Sequence, residues 1–309
     1  MTITLTDTDA SAIASELLLA RRRAGSPSMG MVLTLVVDVA EAEADDAMRA
    51  AAAASTEHPA RVLGVIRGSV RGTDRIAAEI RIGSGATGET VLLRLGGEVA
   101  EHAESVVLPL LLPDSPVVIW WPTKSPDDPV ADPLGSLAQR RITDAAAAPR
   151  GKAAALWTQC EHYADGNTDL AWTRITGWRA LLAAALDQFP AKVTAGQVSA
   201  ERVSPSADLL GAWLADRLKI DVDRTTSRGP GITSVSLSTR DGEIAINRPD
   251  GRLALFSGPG QPDRPVALKR RETAELLAEE LRRLDPDDIY EATVKSLLRI
   301  HKRAAESRA

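Results

Sequence analysis

Cysteine is almost absent from this chain of 309 residues: Cys160 stands alone. One thiol closes no intramolecular disulfide and builds no thiolate metal cage, so a reducing compartment is expected. Rings are scarce as well, at 3% of the sequence, and six of the ten are tryptophan. A core this poor in aromatics has to be built from Leu, Val, Ile and Ala, and each tryptophan becomes a large packing or contact element. Long apolar runs are missing too. None approaches the roughly 20 residues of a membrane helix, and Leu17–Leu19 behind the polar Met1–Thr8 is too short for a signal core. The expectation is a soluble cytoplasmic protein.

Long basic runs are also lacking, and the formal net charge is −5. Phosphate neutralisation along a nucleic acid needs clustered Lys and Arg, so a general nucleic-acid binder is excluded. The four histidines, His58, His102, His162 and His301, share no ligand spacing, and Cys160 with His162 supplies two ligands where zinc needs more. No metal or cofactor is expected. A hydrolase Gly-x-Ser-x-Gly elbow is missing, and Gly229-Pro230-Gly231 and Gly258-Pro259-Gly260 lack the Lys-Ser or Lys-Thr of a P-loop. Gly83-Ser84-Gly85-Ala86-Thr87-Gly88 has dinucleotide-loop spacing, but Glu89–Leu95 after it reads as a strand rather than a helix, which makes it a hairpin turn. Asp221-Val222-Asp223 reads as solvated surface.

What is present predicts an α/β protein. Ala10–Arg23 is a helix capped by Asp9 and stopped at Gly25–Ser28. Met31–Val39, Ala42–Ser55 and Arg61–Arg67 form a strand, helix and strand, hence a βαβ unit in an open mixed sheet with flanking helices. Asp74–Ile82 and Thr90–Leu95 alternate as half-exposed strands, His102–Leu112 is helical, and Val117–Trp121 is a further strand. Thr123–Asp132 is a long loop, Asp132–Arg140 a short helix, and Arg141–Thr143 an edge strand. Lys152–Phe189 is a helical middle segment. Beyond it, strand Val193–Arg202 and helix Ala207–Leu218 precede short strands at Ile232–Leu237, Glu243–Asn247 and Arg252–Phe256. These strands are joined by Asp241-Gly242 and Asp250-Gly251 hairpins. Two amphipathic helices, Glu272–Leu284 and Ile289–His301, complete a C-terminal α+β domain. The expected divisions are residues 1–150, a connecting segment 151–190, and 191–309. Both halves read strand, helix, three strands, helix, so a duplicated unit is an open possibility.

Two segments carry the tryptophans that could meet a partner. Trp120 and Trp121 end an apolar strand, where neighbours point to opposite faces, so one ring packs inward and the other is either covered by a helix or turned to a cleft. Trp172-Thr173-Arg174-Ile175-Thr176-Gly177-Trp178-Arg179 places Trp172, Ile175 and Arg179 near one helical face. It also sets Arg174 and Trp178 four apart, a cation–π spacing. Trp and Arg are enriched at interface hot spots and also anchor helices to sheets. Trp120, Trp121, Trp172, Arg174, Trp178 and Arg179 are the partner-binding candidates.

Several stretches resemble the glucose-6-phosphate dehydrogenase assembly (OpcA) family in order and spacing. They are MVLTLVV at Met31–Val37, Glu57-His58-Pro59-Ala60-Arg61-Val62, PVVIWWP at Pro116–Pro122, and Asp132-Pro133-Leu134 with Arg141-Ile142-Thr143-Asp144. Asp169-Leu170-Ala171-Trp172-Thr173-Arg174 with Gly177-Trp178-Arg179 completes the set. The resemblance implies a bacterial, non-catalytic accessory protein. It would assemble or allosterically activate glucose-6-phosphate dehydrogenase, at the entry to the oxidative pentose phosphate pathway, by protein–protein binding. The alternative is a sugar-phosphate- or nucleotide-binding enzyme or sensor, its N-terminal α/β cleft lined by Trp121, Lys124, Arg140, Arg141 and Asp144.

Overall fold

The computed structural model describes residues 1–24, 30–82, 88–250 and 253–306. Strand β1 (Thr2–Leu5) and helix α1 (Ala10–Ala24) lead into β2 (Leu33–Asp38), α2 (Ala44–Ala54) and β3 (Ala60–Arg67). Then come β4 (Arg75–Ile82), β5 (Glu89–Gly96), α3 (Ala103–Val107), β6 (Val117–Trp120) and β7 (Arg140–Thr143). The next stretch holds α4 (Lys152–Glu161), β8 (Asn167–Asp169), α5 (Leu170–Thr173), α6 (Thr176–Gln188), β9 (Val193–Ala200) and α7 (Pro205–Leu218). Strands β10 (Val222–Thr226), β11 (Ile232–Thr239), β12 (Gly242–Asn247), β13 (Leu253–Ser257) and β14 (Arg264–Ala267) precede α8 (Thr273–Arg282) and α9 (Asp288–Glu306).

The chain divides into two compact units, one of Met1–Asp144, Ala164–Thr168 and Glu272–Pro286, the other of Ala145–Tyr163, Asp169–Arg271 and Asp287–Ala309. The chain thus crosses between units more often than divisions at 150 and 190 would have it. Segment 151–190, expected as a connector, contributes Leu156, Cys160, Trp172, Trp178 and Leu182 to the second unit's apolar core. Helix α8 packs on α2 in the first unit.

In the first unit an eight-stranded sheet runs β1-β4-β5-β3-β2-β6-β7-β8. The neighbours β5-β3, β3-β2, β2-β6 and β6-β7 are parallel, and β1-β4 and β4-β5 antiparallel. Because β2 and β3 are covered on both faces, nearly every residue in them is buried and most are apolar. Ile13, Leu17 and Ala20 of α1 and Val106 and Val107 of α3 join Leu63, Val65, Ile80, Val91 and Leu93 in the core. The parallel strands, counted along the chain, stand third, second, first, fourth, fifth, which is the doubly wound order of nucleotide-binding sheets. Their order reverses between β2 and β6.

The second unit has a six-stranded sheet, β10-β9-β11-β12-β13-β14, parallel only at β10-β9. Val198, Val235, Leu237, Ile244 and Ile246 bury one face with Leu209, Leu210 and Leu214 of α7. A mostly parallel sheet and a mostly antiparallel one are different topologies, which removes the duplicated-unit expectation.

Several local readings shift. Asp132–Arg140 forms no α-helix, only a single 3-10 turn at Gly135–Leu137. Asp132 accepts the Gly135 amide at 2.9 Å, and a Cβ on Gly135 would lie 1.8 Å from the Pro129 carbonyl, so the chain doubles back too tightly for a helix. Helix α3 is five residues long, since Pro109 follows in a 3-10 turn. Residues 152–189 hold three helices and β8, which lies beside β7, the Arg141 amide donating to Gly166 O at 2.9 Å. Arg140–Thr143 is therefore flanked on both sides rather than at an edge. The short strands β1, β10 and β14 lacked clear periodicity, and β10 includes Val222 and Asp223 of the acidic motif. The helix stop at Gly25–Ser28 and the loop Gly83–Thr87 lie outside the described residues, as do Gly251 and Arg252. Even so, Ile82 pairs with Glu89 in an antiparallel ladder, so Gly88 is followed by strand β5 and not by a helix.

Candidate functional site

In a doubly wound sheet, ligands enter at the carboxyl ends of the strands where the order reverses. Here that edge is β2 and β6, and its groups are engaged with one another. Asp38, at the end of β2, accepts the Trp121 indole N–H at 3.2 Å and the Arg67 guanidinium at 2.6 Å, both on Oδ2. Arg67 also stands 3.8 Å from Asp132. Burial pushes the Asp38 carboxyl above its usual value, with Arg67 and then the Trp121 bond pulling the other way. The connection from β2 to α2, Val39-Ala40-Glu41-Ala42-Glu43, contains no glycine and two carboxylates, where a phosphate cradle needs open backbone N–H groups.

The residues proposed to line that cleft are largely structural. Arg140 is buried and donates to Glu280 and, at 3.1 Å, to the Asp285 carbonyl. Arg141 donates to Asn167 Oδ1 at 2.6 Å and to the Ala138 and Asp165 carbonyls. Burial lowers its pKa. Asp144 is 3% exposed. Arg141 fastens the segment around β8 to β7, and Arg140 fastens α8 and the turn after it to the same strand.

All four candidate tryptophans, Trp120, Trp121, Trp172 and Trp178, are 1% exposed. Of the two readings for each pair, the covered one describes the rings. Trp121 packs in the first unit's core, and the Trp120 indole N–H is buried without a partner among the described residues. In the second unit Trp172 donates to Asp287 at 2.8 Å and lies 5.5 Å from the Tyr290 ring. Arg174 and Arg179 are half-buried. The cation–π partners differ from the expected pair: Arg179 stacks on Trp172 at 3.6 Å, and Trp178 receives Arg248 at 5.0 Å. The helix breaks at Arg174 and Ile175, between α5 and α6, so the four-residue spacing of Arg174 and Trp178 no longer sets them side by side.

Arg174 and Trp178 do meet in one place. They line a cavity of about 360 Å³ within the second unit, together with Arg248, Lys269, Arg270 and Arg271. Sequence reading missed this cluster, because its members come from separated segments; the run Lys269-Arg270-Arg271 was its one visible trace. A second cavity of about 460 Å³ in the same unit is mostly apolar, lined by Leu156, Trp157, Val198, Val222 and Leu297. Among the described residues no group of three or more His, Cys, Asp or Glu gathers at metal-binding range, and no helix is long and apolar enough to cross a membrane.

The fold and these sites define the class: a two-unit α/β protein whose sequence falls in a dehydrogenase-subunit family. Residues 51–159 match the N-terminal domain of the glucose-6-phosphate dehydrogenase subunit family, and residues 165–294 match its C-terminal domain. The chain belongs to this OpcA glucose-6-phosphate dehydrogenase assembly family. No curated protein matches it. Among solved structures it is similar to a mutant of a 3-ketoreductase from Actinomadura kijaniata in complex with TDP-benzene and NADP. That match has 12% identity, covers 87% of this chain and 96% of the other, and has a TM-score of 0.47. An oxidoreductase from Sinorhizobium meliloti is similar at 10% identity, with 89% of each chain covered and a TM-score of 0.44.

Proposed function

We propose that this chain is a non-catalytic assembly factor or allosteric activator of glucose-6-phosphate dehydrogenase, acting in the bacterial cytoplasm by binding the enzyme. The observation that carries the reading is membership of the assembly family across both halves of the chain. The filled carboxyl edge at Asp38, Arg67 and Trp121 supports it over the cleft-enzyme alternative, as does the internal use of Arg140 and Arg141.

An activator has to prefer one state of its target, because equal affinity for both shifts nothing. An affinity ratio of about 100 corresponds to a bias of roughly 2.7 kcal/mol. Of the six candidates, Arg174 and Arg179 are the proposed contacts. Trp172 holds Arg179 from beneath, while the covered Trp120, Trp121 and Trp178 serve as packing.

The test is dehydrogenase turnover and oligomer size with and without the purified chain, alongside co-purification. Activation or assembly is expected, with binding weakened in Arg174→Ala/Arg179→Ala. Absence of any complex would end the reading, and turnover by the chain alone would favour the enzyme alternative.

A further inference from the structure

The cavity of about 360 Å³ in the second unit is lined by an excess of cations. Lys152, Arg174, Arg248, Lys269, Arg270 and Arg271 line it against one carboxylate, Glu201, in a chain whose net charge is −5. The cations come from the start of α4, the α5–α6 link, the end of β12 and the segment before α8, so the fold converges them from four separate places.

Arg248 is the deepest of them, 6% exposed. It donates to the Leu268 carbonyl at 2.9 Å and the Ile232 carbonyl at 3.2 Å, and its Nε is buried without a partner among the described residues. Burial holds its pKa below the usual arginine value, and the like charge of Arg270 pushes the same way, with Asp250 opposing. A buried cation beside a second cation is costly unless an anion compensates both. Arg270 is held close by Gly231, whose φ is 61° and where a Cβ would lie 2.9 Å from Nη2 of Arg270.

The N-terminus of α7 also lines the cavity, through Ser204, Pro205 and Ser206. The Ser204 side chain makes no capping bond, and Pro205 occupies the first turn. The positive end of a 14-residue helix is thus left without a side-chain cap beside the cations.

We propose that this cavity binds a small phosphate-bearing anion, a phosphate monoester no larger than a sugar monophosphate. Its phosphate would sit between Arg248, Arg270 and the α7 N-terminus, within reach of Lys152. The volume stands near the low end of small-molecule sites, about 300–1,000 Å³, which suits one phosphoryl group and a compact polar body. This inference does not depend on the dehydrogenase reading.

The experiment titrates the full chain with inorganic phosphate, glucose 6-phosphate and glucose, followed by calorimetry and tryptophan fluorescence, Trp178 being in the cavity wall. The same titrations on Lys152→Ala/Arg270→Ala use two exposed side chains, so the fold is retained. Expected are 1:1 binding of the ester, weakening with salt, no response to glucose, and at least about tenfold loss of affinity in the double variant. No ester binding at millimolar concentration, equal binding by the variant, or equal binding of glucose would each overturn the proposal. So would loss of dehydrogenase binding in the variant without ester binding by the parent chain, which would make the patch a contact for an acidic protein surface.

Discussion

The Arg179 guanidinium lies 3.6 Å from the centroid of the Trp172 ring, and that ring's N–H donates to Asp287 at 2.8 Å. Asp287 in turn accepts the Ile289 and Tyr290 amides at 2.9 and 3.0 Å, opening α9. One indole therefore ties the α5 turn, α6 and the start of α9 together within the second unit. Trp172→Phe keeps an aromatic face but removes the donor, leaving a bond to the half-buried Asp287 carboxylate unmade. A loss of about 1.5–3 kcal/mol is expected in urea unfolding. Arg179→Ala should cost about 0.5–2 kcal/mol, and a double-mutant cycle with Trp172→Leu, which removes the aromatic face, should give a coupling of similar size. Full additivity would show that the stacking is incidental.

This pair also marks what the sequence could and could not reveal. The run from Met31 to Arg67 was legible as strand, helix and strand, because continuous apolar runs and an alanine-rich stretch carry their own periodicity. The β11–β12 hairpin was legible through Asp241-Gly242. Which arginine stacks on which tryptophan was not, since a break of two residues at Arg174 and Ile175 resets the helical phase. Nor was the cationic cavity, whose members lie at residues 152, 174, 248 and 269–271 and meet only after folding. Arg61, part of the family signature, turned out to face inward: its partners are Glu89 and the Leu110 carbonyl.

Glu89 joins Arg21 and Arg61 in the first unit, and Glu89 and Arg61 are 5% and 6% exposed. Removing the carboxylate leaves Arg61 charged in the interior, with the Leu110 carbonyl, at 2.6 Å, as its remaining acceptor among the described residues. Breaking such a pair from one side costs about 3–5 kcal/mol. Glu89→Ala should therefore lower the urea midpoint markedly, while Glu89→Gln, which keeps the shape, should cost less. A change under about 1 kcal/mol for the alanine variant would show that water reaches this cluster.

Cys160 is 1% exposed, and its thiol is pushed up to about 12, first by burial and then by the Asp169 and Glu161 carboxylates. The thiolate is the reactive form, so the native protein should resist alkylation at pH 8 and react only after unfolding. The sign of the linkage follows from the raised value. The folded chain keeps its proton when the unfolded chain has released it. The thiol's stability contribution is thus whole below about 9 and is lost as pH rises toward 12. The slope is at most about 1.4 kcal/mol per pH unit. Cys160→Ala should show a shallower alkaline decline than the parent, and identical slopes would refute the assignment.

Asp38 offers the opposite test, because its raised pKa comes with two bonds that both end on Oδ2. An asparagine carbonyl oxygen can accept from both Trp121 and Arg67, so Asp38→Asn keeps those acceptors while removing the buried charge. With the folded pKa raised, the carboxyl's contribution is present below its ordinary value of 3.8 and is lost as pH rises through the folded value. Relative to the parent, the asparagine variant should then gain stability between pH 4 and 7, and the two should converge in acid. At pH 7 the variant should be neutral or slightly more stable, because burial of the Asp38 charge outweighs the attraction of the partly exposed Arg67. Asp38→Ala, which leaves the Trp121 N–H and Arg67 without this acceptor, should be destabilised by about 1–3 kcal/mol. If both variants lose the same stability at neutral pH, the Arg67 attraction outweighs burial, and the carboxylate rather than its shape holds this edge of the sheet.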